Sequence, residues 1–307
     1  MSNFVIIFFS FLFGLASKHI KKFPPSTGIS LNLFIIYVSL PALILARLPQ
    51  LLTKLDFHGY WWAPVATAWL SFLIAYVLIT LIAKKYNWSS AKTGALILTV
   101  GLGNTSFVGF PLLDALIGKE AIEIGILADQ PGSFLILSTL GIFIAARYSG
   151  GNSSLKYMLP KVFLFPPFIA MLGAIVWSIS GITMPLIIFE ALDKIALTLV
   201  PLALFSVGFQ TQFDFKIIAK RLKPLYFGLT LKLFFIPLIF YIFFYYILKI
   251  NNLYIQVSVL EAAMATQITS AVVATEFNLD SELANLMVGL SIPLSLISVP
   301  LWYYFIS

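Results

Sequence analysis

The sequence predicts an all-α polytopic membrane protein, with ten transmembrane helices arranged as two inverted five-helix repeats. Three observations carry this expectation. Of 307 residues, 60% are hydrophobic and only 10% charged, with a mean hydropathy of +1.00. That leaves too little polar surface to hold so much Leu, Ile, Phe and Val in water. The apolar residues run in long continuous stretches, not in the period-two alternation of an outer-membrane barrel. At about 20 residues per span, the chain has room for about ten spans with short connections and no soluble domain beside them. Finally, prolines recur at one spacing: Pro25 and Pro185, Pro41 and Pro201, and Pro64 and Pro224 are each 160 residues apart.

Gly, Pro and charged boundaries place the spans near 3–17, 28–47, 61–83, 93–115, 121–146, 160–180, 185–209, 224–248, 253–275 and 281–306. The first begins Met1-Ser2-Asn3 without a positive n-region and ends in Lys18-His19-Ile20-Lys21-Lys22. This is the pattern of an N-out helix kept in the mature protein, not of a secretory signal. Basic residues then set the direction of the others. Lys18, Lys21 and Lys22 follow the first span, Lys84, Lys85 and Lys92 the third, Arg147, Lys156 and Lys161 the fifth, and Lys216, Lys220, Arg221 and Lys223 the seventh. Against these thirteen, the opposite side holds only Arg47, Lys54, Lys119 and Lys249. The positive-inside preference therefore puts both termini outside, and the net charge of +7 tracks cytoplasmic loops instead of nucleic acid. With no cysteine, disulfides, thiol catalysis and thiolate metal sites are excluded. His19 and His58 fall in separate loops and make no metal pair.

The 160-residue shift lays the first five spans (1–150) on the second five (151–307), and the surroundings agree at Val38-Ser-Leu-Pro-Ala-Leu-Ile-Leu45 and Thr198-Leu-Val-Pro-Leu-Ala-Leu-Phe205. An odd number of spans in each half gives the two copies opposite orientations. Inverted repeats of this kind mark secondary transporters, whose sites lie near the midplane on interrupted helices. The fourth span has the composition of an interrupted helix. It reads Gly101-Leu-Gly-Asn-Thr-Ser-Phe-Val-Gly-Phe-Pro111, where a continuous helix would lose about 1 kcal/mol per Gly and about 3 for Pro. Backbone opened at membrane depth must face protein, water or a ligand, so the break is expected to line a cavity. The ninth span, Glu261-Ala-Ala-Met-Ala-Thr-Gln-Ile-Thr-Ser270, is equally polar but lacks Gly and Pro, so its interruption is inferred only from the repeat.

At these residues the chain resembles the auxin efflux carrier family, which includes bacterial organic-acid carriers and plant auxin exporters. The resemblance runs nearly end to end. It is carried by Leu40-Pro-Ala-Leu43, Gly103-Asn-Thr-Ser-Phe-Val-Gly-Phe-Pro-Leu112, Pro201-Leu-Ala-Leu-Phe-Ser-Val-Gly208, Glu261-Ala-Ala-Met264 and Ala274-Thr-Glu-Phe-Asn278. It implies a scaffold of spans 1, 2, 6 and 7 and a moving unit of spans 3–5 and 8–10. Spans 4 and 9 are broken and cross, with a small organic anion held at the crossing. Where the family carries a proline after Ala-Ala-Met, this chain has Ala265. Carried onto this sequence, the crossing offers Gly103, Asn104, Thr105, Thr266 and Gln267 to the substrate, with Pro41, Pro111 and Pro201 as hinge positions. The resemblance to bacterial carriers also implies the cell (inner) membrane, and it leaves open a homodimer.

Ionisable groups inside spans cost about 2.5–3.5 kcal/mol at the helix centre on insertion scales, so each needs a use or a partner. Asp129, followed by Gln130 and Pro131, lies roughly 12 Å into the fifth span. Lys232 lies a similar depth into the eighth from the other side, so the two meet if their helices are neighbours. The structural alternatives are a packing carboxylate and a snorkelling lysine. Glu261 opens the polar part of span nine and reads either as a cation or proton site or as a packing hydrogen bond. Glu190 and Lys194 have the i, i+4 order of a surface pair, and Gln210 and Gln212 sit at the cytoplasmic end of span seven. Asn104 and Thr105 either cap a half-helix or touch the ligand.

The favoured function is a secondary transporter moving a small organic anion, malate- or malonate-like or auxin-like, by alternating access. No cofactor is called for; proton or sodium coupling is open. The alternatives are a passive channel and a membrane receptor that binds without transporting. An intramembrane enzyme lacks support, with no His-Glu-x-x-His and an amide at Asn104 where an aspartyl protease needs an acid. No phosphate-binding loop is present to use ATP.

Overall fold

The computed structural model describes residues 2–54, 59–149, 164, 166–210 and 215–307. His58, Lys156, Lys161, Gln212 and the start of the sixth predicted span lie outside the described residues. Among those described, every named element is a helix. The chain runs through α1 (Ser2–Ser17), α2 (Thr27–Gln50), α3 (Trp62–Tyr86), α4 (Ser90–Gly101), α5 (Thr105–Leu116), α6 (Lys119–Tyr148) and α7 (Pro166–Ser180). It continues with α8 (Leu186–Ala196), α9 (Leu199–Gln210), α10 (Phe215–Lys220), α11 (Leu222–Ile247), α12 (Leu253–Ala262), α13 (Ile268–Glu276) and α14 (Ser281–Ile306). Five of these, α2, α3, α6, α11 and α14, are long and apolar enough to cross a bilayer. The chain is a polytopic membrane protein. Its outer faces invert the soluble pattern, with Ile179 and Tyr304 each nearly four-fifths exposed.

Local chemistry fixes the helix ends. Side chains of Ser89, Asn252 and Asp280 accept the backbone N–H of Lys92, Ile255 and Leu283, capping α4, α12 and α14. Asn87, Lys249 and Asn278 take left-handed backbone after α3, α11 and α13 and stop them. Prolines account for the irregular turns. Pro131 has no N–H for the carbonyl of Leu127, and α6 widens into a π-turn over Asp129–Phe134 with a kink at Gly132. Pro201 likewise has none for Leu197. The predicted continuous span 185–209 is therefore two helices, α8 and α9, separated at Leu197 and Thr198.

The chain divides into two compact units. The first comprises Met1–Trp61, Ser106–Ile126 and Pro160–Thr211, the second Trp62–Thr105, Leu127–Leu159 and Gln212–Ser307. In the first unit, α1 and α9 pack through small residues. A Cβ on Gly14 would lie 2.1 Å from the Phe205 carbonyl oxygen, and one on Gly208 would lie 2.1 Å from that of Phe11. Only glycine permits this approach at both positions. The Ser206 hydroxyl lies 2.9 Å from the Gly28 carbonyl and 2.6 Å from Asn32 Oδ1, tying α9 to α2, and the hydroxyls of Ser39 and Thr198 meet at 2.7 Å. In the second unit, α4 and α12 form a buried centre: Ala95–Leu98 and Val257–Leu260 are almost entirely enclosed. The Trp302 indole N–H donates to the Leu233 carbonyl and joins α14 to α11.

Candidate functional site: two broken helices joined backbone to backbone

Within the second unit, the chain leaves helical geometry twice, between α4 and α5 and between α12 and α13. The two breaks pair as a short antiparallel bridge centred on Gly103 and Thr266. The Asn104 N–H donates to the Ala265 carbonyl at 2.7 Å, and the Gln267 N–H donates to that of Leu102 at 3.1 Å. The second break forms without a proline or glycine, and Ala265 occupies it, fully buried. Side chains complete the junction. The Thr266 hydroxyl donates to the Thr99 carbonyl at 2.8 Å, satisfying an acceptor left over at the end of α4, and the Ser291 hydroxyl accepts the Thr266 N–H at 2.9 Å.

The backbone amides of Asn104, Thr266 and Gln267 each have a partner within the protein. Opened backbone at membrane depth has been satisfied by a second piece of opened backbone. What the junction offers beyond that is side chains and the start of α13. Asn104, Thr105 and Thr266 are all at least 97% buried. The Gln267 side-chain oxygen is enclosed and accepts no hydrogen bond among the described residues.

Gly103 is also where the junction meets charge. A Cβ there would stand 3.3 Å from the Glu261 carbonyl oxygen and 3.4 Å from Lys232 Nζ, so the lysine reaches the carbonyl end of α12, the favourable end for a cation. Asp129, on the wide turn of α6, accepts hydrogen bonds from the Thr105 hydroxyl at 2.5 Å and from Gln130 Nε2 at 2.6 Å. Asp129 and Lys232 both interact electrostatically with Glu261. The three ionisable residues flagged by their cost in a span therefore form one cluster together with Gln130 and Thr105. A small cavity against it is lined by Thr67, Ser71, Gly103, Thr105, Lys232 and Glu261. Thr67 and Ser71 carried no sequence signal beyond two hydroxyls one helical turn apart.

A larger cavity, of about 270 Å³, lies in the first unit. Two of the hinge positions, Pro111 and Pro201, line it with Phe110, Asp114, Arg47 and Lys119, while Pro41 sits six residues before Arg47 on α2. The Arg47 guanidinium pairs with Asp193 and stands 3.9 Å from Glu123; Lys119 reaches Asp193 at 4.0 Å. Arg47, the last residue of the second predicted span, lies on a helix that continues past it through Pro49, and it takes Asp193 of α8 as its partner. Elsewhere in the second unit, Arg221 donates to Glu282 and Asp280 at 2.8 and 2.6 Å. These bonds, Glu282's first, raise its guanidinium above the ordinary arginine value.

A family model described as membrane transport protein matches residues 1–303. The chain belongs to this family. It is 31% identical over 279 residues to an uncharacterized transporter of Methanothermobacter thermautotrophicus, covering 89% of this chain and 87% of the relative. It is also 26% identical over 303 residues to an uncharacterized transporter of Methanocaldococcus jannaschii, covering 96% and 92%. The match takes in both breaks and the charged cluster, and the family is one of transporters, not enzymes.

Proposed function

We propose that this membrane transport protein is a secondary carrier that moves a small organic anion, a malate- or malonate-like or auxin-like carboxylate, by alternating access. One observation carries the reading: two interrupted helices are joined at Gly103 and Thr266 inside the unit that holds the buried charged cluster. Opened backbone at membrane depth has to be satisfied, and at the second break nothing local disfavours a continuous helix, so a paired interruption needs a use. Asn104, Thr105 and the enclosed Gln267 oxygen are the polar groups placed to select a ligand. The N-terminus of α13 favours negative charge.

In this reading the chain is two inverted five-helix repeats in the cell membrane with both termini outside. A scaffold from spans 1, 2, 6 and 7 supports a moving unit from spans 3–5 and 8–10. The cavity at the junction has space for about one water-sized occupant, about 10 Å³. A carboxylate enters only when the junction opens, as alternating access requires. The 270 Å³ cavity lined by Arg47 and Lys119 within the first unit has the size of a small organic molecule.

Counterflow in proteoliposomes tests this. Vesicles preloaded with malonate, malate or indole-3-acetate should accumulate the matching labelled acid against its gradient, with saturation. A channel gives no saturable counterflow, and a receptor gives none at all. Absence of counterflow with every small carboxylate would overturn the substrate class.

A further inference from the structure

The charged cluster beside the junction has more acid than base. Asp129, Lys232 and Glu261 come from α6, α11 and α12, and each is at least 96% buried. Asp129 has the Thr105 hydroxyl and the Gln130 amide as donors. Glu261 differs. Among the described residues neither of its carboxyl oxygens accepts a hydrogen bond, although both are enclosed. The hydroxyls of Thr67 and Ser71 are also enclosed and without partners among the described residues, and they line the same cavity as Glu261 and Lys232. That cavity holds about one water, about 10 Å³. Four polar atoms, from Thr67, Ser71 and Glu261, thus surround a space for one small occupant.

Charge counting identifies the occupant. From α3 come only the two hydroxyls. The charged groups acting on Glu261 are Asp129 from α6 and Lys232 from α11, and the residue supplied to the junction by α14 is the neutral Ser291. Glu261 therefore faces one like charge and one opposite charge, and among the described residues neither of its enclosed oxygens accepts a hydrogen bond, so its ionised form is costly unless a cation joins it. A metal ion would share this small space with the Lys232 ammonium, and like charges a few ångströms apart in a poorly polarisable interior repel strongly. A proton avoids that repulsion. It neutralises one carboxyl and turns an acceptor without donors into a donor facing free hydroxyl oxygens.

We propose that Asp129, Lys232 and Glu261 form a proton-binding site that holds one exchangeable proton on its two carboxyls, reached through a single water lodged against Thr67 and Ser71. The proton passes from carboxyl to that water and on to bulk, with no other bond made or broken. Its link to the junction is structural. Thr105 donates to Asp129, and Lys232 stands against Gly103, so releasing the proton changes the charge felt by both. That this proton is the coupling ion of transport rests on the carrier reading above; the site itself does not.

The test needs no substrate. Infrared spectra of the purified protein in lipid nanodiscs should contain the carbonyl stretch of a protonated, buried carboxyl at neutral pH. The band should shift in deuterium oxide, diminish as pH is raised, and remain unchanged when sodium replaces choline at constant pH. Glu261→Gln or Asp129→Asn should remove it, while Glu120→Gln on the surface should leave it. In Thr67→Ala with Ser71→Ala the band should persist but exchange with deuterium several-fold more slowly. Absence of the band in the parent protein, or its loss on adding sodium, would overturn the proposal even if every variant failed to fold. An unchanged band in a folded Glu261→Gln and a folded Asp129→Asn would do the same, and unaltered exchange in the double variant would remove the water path. Failure of carboxylate counterflow with the band intact would refute the substrate reading and leave the proton site standing.

Discussion

Thr266→Val isolates what the side chains at the junction contribute. Valine keeps the shape and branching of threonine, so packing around the fully buried residue is conserved. The substitution deletes one donor, the hydroxyl 2.8 Å from the Thr99 carbonyl. That carbonyl is four residues before Gly103, where α4 has ended, so no helical N–H replaces the lost bond. A buried acceptor left without a donor costs about 1–3 kcal/mol. At roughly 2–4 °C per kcal/mol for a chain of this order of size, melting in detergent should fall by about 2–12 °C. Thr266→Ser retains the hydroxyl and should lose less. Nanoscale fluorimetry on the tryptophans reads both. A Thr266→Val protein that melts with the parent would mean that the junction is not held by this bond.

Gly208→Ala puts a Cβ 2.1 Å from the Phe11 carbonyl oxygen, so α1 and α9 must separate by about 1.3 Å to restore ordinary contact. Overpacking of this kind costs about 1–3 kcal/mol or more, and the variant should show reduced expression and a lower melting temperature, whereas Gly173→Ala, with its nearest neighbour 3.8 Å away, should show neither. For orientation, a cysteine at exposed Lys85 should be shielded from an impermeant thiol reagent in intact cells and one at exposed Glu120 should react; the reverse labelling would invert the proposed topology.

The polytopic helical class and the five span-length helices were legible because lipid demands long apolar runs, which composition and spacing reveal directly. The first break was legible for a local reason: Gly101, Gly103 and Pro111 make a continuous helix expensive where they stand. The second break had no such signal. Met264-Ala265-Thr266 would propagate a helix, and what opens it is tertiary, namely the pairing with Gly103 and the Ser291 hydroxyl that takes the Thr266 N–H. Sequence exposes the cost of an interruption but not the partner that meets it. Asp129, Lys232 and Glu261 stood out individually, and their gathering follows from the same cost, since buried charges are tolerated chiefly in one another's company. Thr67 and Ser71 were invisible because a hydroxyl in a span usually bonds its own helix, as Thr99 does with Ala95. The second span was drawn short because a boundary set at the first charge ignores a helix that continues beyond it.

The central claim is that the substrate is recognised at the junction of the two breaks. Asn104 is the most direct place to test it: the residue is 98% buried, and its backbone is already fixed by Ala265. Leucine there keeps much of the volume and removes both hydrogen-bonding ends of the side chain while leaving the backbone bridge intact. The decisive measurement is counterflow of the preferred carboxylate by purified, monodisperse Asn104→Leu, beside Thr139→Val on an exposed face of α6. Counterflow lost in Asn104→Leu and retained in Thr139→Val is the predicted result. A stable Asn104→Leu protein exchanging at the parent rate would contradict it and remove the junction from the substrate's path.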